Sequence, residues 1–78
     1  MITKLNLCKQ GKTVKIVKVD DNNMLKSRLL EMGFTKNSEI EIIKYAPLKD
    51  PIEVKIKNYN ISLRVKEAEH IIVEDSNE

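Results

Sequence analysis

The side chains best suited to chemistry in this 78-residue chain are its single cysteine, Cys8, and its single histidine, His70. A structural zinc site needs four cysteine or histidine ligands at short spacings, and these two residues lie 62 positions apart. An iron(II) or other transition-metal site could instead combine His70 with nearby carboxylates, namely Glu67, Glu69 and Glu74. The alternative is that His70 lines a turn. The sequence therefore predicts no preformed metal site and no cofactor, and leaves weak metal binding open.

Catalysis would need a positioned nucleophile or a glycine pattern that cradles phosphate. The glycines of the chain are Gly11 and Gly33, so the phosphate-binding glycine loops are absent. No serine occupies the strand–turn–helix context of a nucleophile elbow. Nothing in the sequence positions Cys8 against His70 for nucleophilic attack. We therefore predict that the protein is not an enzyme.

The sulfur-containing residues Cys8, Met24 and Met32 are most simply interpreted as core residues. Cys8 precedes a turn at Gly11 and is expected to be buried as a small hydrophobe. Met24 and Met32 lie at helical spacing and are predicted to pack inward. A lone thiol, no apolar run approaching the ~18 residues of a membrane span and no signal-peptide pattern predict a cytoplasmic location without membrane insertion.

Hydrophobic periodicity predicts a mostly β domain with five short strands and two helical segments. A cluster of capping residues at 20–23 precedes an amphipathic helix, which Gly33 ends while Phe34 folds back onto the last turn. The predicted strands are Thr13–Val19, Ser38–Tyr45, Ile52–Lys57, Ile61–Leu63 and Ile71–Val73, with a helix at Met24–Met32, a turn at Asn58–Asn60 and a helical turn at Arg64–His70. These elements predict a small, partly open barrel over residues 1–74 and a disordered polar tail over 75–78.

The charge balance argues against nucleic acid as the partner. The net charge is +2, whereas phosphate binding needs a concentrated basic face. The candidate basic surface on the central hairpin consists of Lys44, Lys49, Lys55 and Lys57. Glutamates at positions 39, 41 and 53 are interleaved with these lysines and would cancel much of their field. A nucleic-acid-binding barrel is therefore the less favoured alternative.

Protein binding is the function class that remains, and Leu48 is its main candidate. This residue lies at the tip of a loop stiffened by Pro47 and Pro51, where an apolar side chain has no local reason to be. Either Leu48 folds back onto its own domain, or it is an anchor that the prolines pre-organise for a partner. The sequence leaves both alternatives open.

Four blocks of residues, in this order and spacing, resemble the FeoA family of ferrous iron transport accessory proteins. They read LLEMGF at 29–34, APLKDP at 46–51, ISLR at 61–64 and EAE at 67–69, and the resemblance extends from Leu5 to Val73. It implies an SH3-like barrel and a cytosolic protein that works with FeoB, the membrane ferrous iron transporter with a cytoplasmic GTPase domain. The nearest alternative is the related SH3-like domain of iron-dependent repressors, which is fused to a DNA-binding helical domain.

The resemblance therefore implies a non-enzymatic accessory protein that binds or regulates a FeoB-type transporter and its GTPase domain. The contact surface expected for it consists of Tyr45, Pro47 and Leu48, with the helix end at Met32 and Gly33 as a second candidate. A weak metal-sensing domain is the alternative function. The protein is expected to be a monomer or a weak homo-oligomer, because exposed edge strands in small barrels can pair with one another.

Three positions that are usually glycine in the family are Asn37, Lys49 and Asn58 here. Asparagine is the commonest non-glycine residue in the left-handed region, so Asn37 and Asn58 are expected to keep the same turns. Lys49 tolerates that conformation less well. The loop at 47–51 is therefore expected to differ in shape from that of the family.

Overall fold

The computed structural model describes residues 1–20 and 23–75 and contains one antiparallel sheet with short helical segments. The strands are β1 (Ile2–Lys4), β2 (Thr13–Val19), β3 (Glu39–Tyr45), β4 (Ile52–Ile56), β5 (Tyr59–Leu63) and β6 (Ile71–Glu74); the helices are a 3₁₀ helix (Leu5–Leu7), α1 (Asn23–Glu31) and α2 (Val65–Ala68). The strand order is β1-β6-β2-β3-β4-β5. No pairing joins β1 to β5 in this part of the chain, so the barrel is open, which confirms the predicted fold class.

One apolar core fills the inside of the open barrel. Alternate residues of the long strands supply most of it, and Leu5, Leu29 and Phe34 complete it from the helical segments, each with no exposed surface. Cys8 is 6% exposed and belongs to this core, as predicted. Among the described residues, the core includes no polar or charged side chain. Hydrophobic burial therefore holds the sheet together.

Helix α1 packs one apolar face on the sheet and ends at a glycine. Its inward-facing residues are Leu25, Leu29 and Met32. Gly33 has a φ of 103°, and its N–H donates to the carbonyl of Leu30 at 3.0 Å. The N–H of Phe34 donates to the carbonyl of Leu29, also at 3.0 Å. This pair of bonds is a Schellman motif, so Gly33 ends the helix as predicted, and Phe34 is fully buried in the core.

The predicted burial of Met24 is wrong, because its side chain is 84% exposed. Met24 lies one turn before the exposed Arg28, on the outward face of α1. A separation of eight residues does not place Met24 and Met32 along one line of the helix surface. Of the two, only Met32 packs against the core. The capping cluster predicted ahead of this helix includes Asp21 and Asn22, which lie outside the described residues.

A β-bulge near the end of β3 decides which side chains of that strand face inward. The register with β4 shifts between Ile42 and Lys44, so Ile43 is the extra residue. Strict alternation would bury Lys44, since Ile42 is buried two positions earlier. The bulge changes the phase, so that Lys44 is exposed and Tyr45 packs against the core.

The sheet differs from the prediction at two places. β1 is a sixth strand that pairs with β6, and its three residues are too few to show a periodicity. The turn between β4 and β5 consists of Lys57 and Asn58, with φ of 50° and 71°, so β5 begins at Tyr59 rather than at Ile61. Two successive left-handed residues make the tight turn whose twist matches that of a hairpin.

The three positions at which the resemblance implies a glycine all adopt the left-handed conformation. The φ angles of Asn37, Lys49 and Asn58 are 73°, 68° and 71°. The two asparagines keep their turns, as expected. Lys49 keeps the left-handed conformation as well, so the expected change of loop shape is not observed at this residue. Holding a lysine there costs about 1–2 kcal/mol, which the surrounding structure must offset.

Candidate partner-binding site

Leu48 is the most exposed large apolar residue in the described part of the chain, at 91%. It shares the centre of a turn with Pro47, and the N–H of Lys49 closes that turn on the carbonyl of Ala46 at 2.6 Å. The base of the loop is closed by the Ala46 N–H, which donates to the carbonyl of Pro51 at 3.0 Å. Leu48 therefore projects outward and does not fold back onto its own domain.

Asp50 ties this loop to the rest of the fold. Its carboxylate accepts a hydrogen bond from the backbone N–H of Val65, the first residue of α2, at 3.1 Å. The loop is thus restrained by its own turn and by a contact with a helix that follows 15 positions later. A loop restrained in this way loses less conformational entropy when a partner binds it.

An open groove of about 630 Å³ lies between this loop and the 3₁₀ helix. Its lining residues are Asn6, Leu7, Cys8, Gln10, Tyr45, Ala46, Pro47 and Lys49. Leu7 lines the groove on the side of the 3₁₀ helix and is 67% exposed, whereas Leu48 projects from the loop on the other side and is not one of the lining residues. We name the surface formed by Leu7, Tyr45, Pro47 and Leu48 the two-loop patch. It combines the predicted Tyr45, Pro47 and Leu48 with a second exposed leucine.

Tyr45 connects the two sides of the groove. Its hydroxyl donates a hydrogen bond to the carbonyl of Cys8 and lies 3.5 Å from the carbonyl oxygen of Asn6. Burial raises the pKa of the Tyr45 phenol, and the charge of an ionised Cys8 would raise it further. The hydroxyl therefore keeps its proton at neutral pH and remains a donor.

Cys8 forms part of the groove wall but is poorly suited to react there. Its thiol contacts the carbonyl of Lys4 at 3.7 Å. Burial raises the pKa of the Cys8 thiol, the negative charge of Asp75 raises it further, and Lys12 partly opposes them. Since the thiolate is the nucleophile and the metal ligand, a raised pKa leaves Cys8 as a packing residue.

The second predicted contact surface, at Met32 and Gly33, does not form part of the groove. Met32 packs against the core, so little of it is available to a partner. A Cβ atom added to Gly33 would lie 3.4 Å from Cδ of Lys57, which shows that the lysine stem covers the glycine. Of the two predicted surfaces, the two-loop patch therefore has the more exposed apolar side chains.

Glu67, a candidate metal ligand, already has protein partners. Its carboxylate accepts a hydrogen bond from the backbone N–H of Arg64 at 3.0 Å and is ion-paired with the guanidinium of Arg28. These contacts join the start of α2 to α1. Glu67 therefore acts in the described structure as a link between the two helices.

His70 lies in the turn before β6, where the imidazole Nδ1–H donates to the carbonyl of Asp20 at 2.9 Å. The backbone N–H of Asp20 in turn donates to the carbonyl of His70 at 2.6 Å. The other candidate ligands, Glu69 and Glu74, are exposed. Within residues 1–20 and 23–75, no three histidine, cysteine or acidic side chains are close enough together to hold a metal ion.

The lysines of the central hairpin are matched by acidic neighbours. Glu41 lies opposite Lys55 in the register of β3 and β4, and Nζ of Lys44 lies 3.9 Å from Oε1 of Glu53. A groove of about 470 Å³ on this outer face is lined by residues of both signs: Thr13, Ser38, Glu39, Glu41, Lys55, Lys57 and Asn58. This face therefore presents mixed charge rather than a basic stripe.

Leu7 is the candidate contact residue that sequence reasoning missed. Leu5 and Leu7 are two positions apart in a short apolar–polar pattern, which does not tell a core residue from an exposed one. In the 3₁₀ helix, with about three residues per turn, the two side chains point in different directions. Leu5 is fully buried, whereas Leu7 is exposed.

The six-stranded open barrel, with its short helix between β2 and β3, defines the chain as a small SH3-like domain. The FeoA domain family model matches residues 3–75. The chain therefore belongs to the FeoA family, which is associated with ferrous iron transport. None of the helices in the described ranges has the length and apolar character needed to cross a membrane.

A curated relative and two solved structures agree with this assignment. The Fe(2+) transport protein A/Fe(2+) transporter FeoB fusion protein of Porphyromonas gingivalis is 41% identical over 64 residues, which are 82% of this chain and 8% of the fusion protein. The chain thus spans a small fraction of that relative.

The NMR structure of a FeoA-like protein from Clostridium acetobutylicum superposes with a TM-score of 0.91 at 31% identity, covering 99% of this chain and 90% of that one. The crystal structure of Stenotrophomonas maltophilia FeoA complexed with zinc, described as a procaryotic SH3 domain protein, gives a TM-score of 0.84 at 25% identity, covering 92% and 89%.

Proposed function

We propose that this protein is a non-enzymatic accessory protein for ferrous iron uptake, which binds or regulates a FeoB-type transporter and its GTPase domain on the cytoplasmic side. The observation that carries the proposal is the outward projection of Leu48 from a hydrogen-bonded loop whose Pro47 and Lys49 line the same groove as the exposed Leu7. The fusion relative adds support, because two domains in one chain meet at high effective concentration.

The two-loop patch has the energetic features of a binding surface. Burying one leucine side chain against a partner contributes roughly 1.5–3 kcal/mol, and the patch offers Leu7 and Leu48 together. The loop around Leu48 is already ordered by its own hydrogen bonds and by Asp50. Most of the gain from burial therefore remains available for affinity.

The test is calorimetric titration of the protein into the isolated GTPase domain of the transporter, with and without nucleotide, and then into the whole transporter in detergent. Leu48→Asp is expected to weaken binding by about tenfold or more, because it places a charge at the centre of the patch. Met24→Asp is the matched control, since Met24 is also exposed but lies on α1. It should leave binding unchanged.

Two results would contradict the proposal. One is unchanged binding by Leu48→Asp when circular dichroism shows that the variant is folded. The other is the absence of saturable binding to both the GTPase domain and the whole transporter. A nucleotide-dependent affinity would identify the state of the GTPase domain that the protein prefers.

A further inference from the structure

We infer that the groove beside the two-loop patch takes an acidic segment of its partner, which packs an apolar side chain between Leu7 and Pro47 and donates an N–H to Asn6. The inference rests on the proposed function, because it names the chemistry of the segment that the same surface binds. Two independent observations carry it: a buried acceptor without a donor, and the sign of the charge around the groove.

The acceptor is Oδ1 of Asn6. It is buried and has no hydrogen-bond partner among the described residues, although Asn6 lines the groove. The hydroxyl of Tyr45 is directed to the backbone carbonyls of Asn6 and Cys8, so it does not supply the missing bond. An acceptor shielded from water costs free energy until a donor reaches it. Because Asn6 also lines the open groove, an outward turn of its side-chain amide would present this oxygen to a backbone N–H of a peptide segment lying there.

The charge around the groove is positive. Of the lining residues that the structure describes, Lys49 alone is charged. The two segments that line the groove, residues 6–10 and 45–49, contain Lys9 and Lys49 and no acidic residue. Both walls of the groove come from these two segments. An acidic segment is therefore attracted, and a basic one is repelled.

The acidic groups closest to the groove already have partners. Asp75, whose charge reaches Cys8, is ion-paired with Lys12 at 3.3 Å. Asp50 follows Lys49 but does not line the groove, and its carboxylate is directed to the N–H of Val65 in α2. Lys49 and the exposed Lys9 are therefore the charged residues of the two lining segments that act on a ligand.

The experiment uses two short synthetic peptides that carry the same leucines, one among aspartates and glutamates and the other among lysines. Each is titrated into the ¹⁵N-labelled full chain at low and at high salt. We expect the acidic peptide to shift the backbone amides of Leu7 and Ala46 and the side-chain amide of Asn6 saturably, and to lose affinity as salt rises. The basic peptide should leave these resonances in place.

A pair of matched variants tests the charge. Lys9→Gln with Lys49→Asn removes two charges beside the groove, and asparagine keeps the left-handed turn at position 49. It is expected to weaken binding of the acidic peptide by about three- to tenfold at low salt. The control, Lys26→Gln with Lys36→Asn, removes the same charge from residues that do not line the groove and should change the affinity less than about twofold.

The inference is overturned if the acidic peptide gives no saturable shifts at the groove, if the basic peptide shifts the same resonances as far, or if both variant pairs weaken binding equally. Its failure is distinct from that of the proposed function. Leu48-dependent binding of the GTPase domain without binding of the acidic peptide would overturn the inference alone. If the acidic peptide binds the groove and the transporter does not compete with it, the inference is supported. The groove is then not the surface that the transporter binds in the proposed function.

Discussion

The hydroxyl of Tyr45, the last residue of β3, donates a hydrogen bond to the carbonyl of Cys8, 37 positions earlier in the chain. This bond joins the segment after the 3₁₀ helix to the loop that carries Leu48. Tyr45 reaches the bond because the bulge at Ile43 turns it inward. The shape of the two-loop patch therefore depends on one side-chain hydroxyl and on one extra residue in a strand.

Tyr45→Phe removes this hydroxyl and keeps the packing of the ring. We expect the free energy of unfolding to fall by about 1 kcal/mol, because the carbonyl of Cys8 loses its donor. Urea denaturation measures the change. Tyr59→Phe is the control, since Tyr59 is 70% exposed, and its effect should stay within about 0.5 kcal/mol. Equal effects of the two variants would show that the Tyr45 bond contributes no stability.

The raised pKa values of Cys8 and Tyr45 predict a loss of stability in alkali. Burial raises each pKa above its ordinary value of 9.0 for Cys8 and 10.0 for Tyr45, so the unfolded chain releases these protons at a lower pH than the folded chain does. Their contribution to stability is therefore complete below about pH 9 and falls as the pH rises beyond it. Urea denaturation between neutral pH and about pH 11 should show this fall.

Two variants separate the contributions of the two groups. Cys8→Ala should flatten the fall that begins above about pH 9, and Tyr45→Phe should flatten the part above about pH 10. The measure is the slope of stability against pH, because Cys8→Ala also lowers the overall stability by leaving a small cavity. A slope unchanged in both variants would mean that other groups cause the alkaline loss.

Lys49→Gly is expected to stabilise the protein. Glycine adopts the left-handed φ of 68° without steric cost, which removes about 1–2 kcal/mol of strain from the folded state. Its greater conformational freedom in the unfolded chain offsets about 0.5–1 kcal/mol of that gain. The net gain should be about 0.5–1 kcal/mol in urea denaturation. Lys49→Ala also removes the charge but keeps the Cβ atom, so it should give no gain. An equal gain from alanine would point to charge rather than backbone conformation.

Glu67→Ala tests the link between the two helices. It removes the ion pair with Arg28 and leaves the backbone N–H of Arg64 without its acceptor, so we expect a loss of about 1 kcal/mol in thermal or urea denaturation. Glu69→Ala, at an exposed position of the same segment, should cost less than about 0.5 kcal/mol. If Glu67 were instead a metal ligand, zinc or iron(II) would stabilise the parent protein and not the variant.

Much of the fold could be predicted from local patterns. The alternation of Thr13–Val19 places that strand at its observed bounds, and Gly33 ends α1 where a left-handed residue is needed. These features depend on interactions within a few residues, so a short window of sequence contains them. The strand β1 does not, because Ile2–Lys4 becomes a strand only through its pairing with β6 at the other end of the chain.

The candidate site is less evident from sequence than the fold. Leu48 stands out between two prolines, but the sequence does not show whether its side chain points inward or outward. Leu7 and Asn6 carry no signal, since the exposure of a leucine and the lack of a donor to an amide oxygen are properties of the surroundings rather than of the residues. The groove forms where two segments 37 positions apart in the chain come into contact, and no local sequence pattern predicts that contact.

The sequence by itself determined most of the strands, the helix that Gly33 ends, the FeoA family and the loop that carries Leu48. Periodicity, glycine and proline act over a few residues, and the pattern of blocks along the chain is a property of the sequence. The tertiary structure alone decided that Ile43 is a bulge, that Tyr45 reaches Cys8, and that the exposed Leu7 lines the same groove as the loop of Leu48. These outcomes depend on hydrogen bonds and packing between distant segments, whose geometry is set only when the sheet has formed.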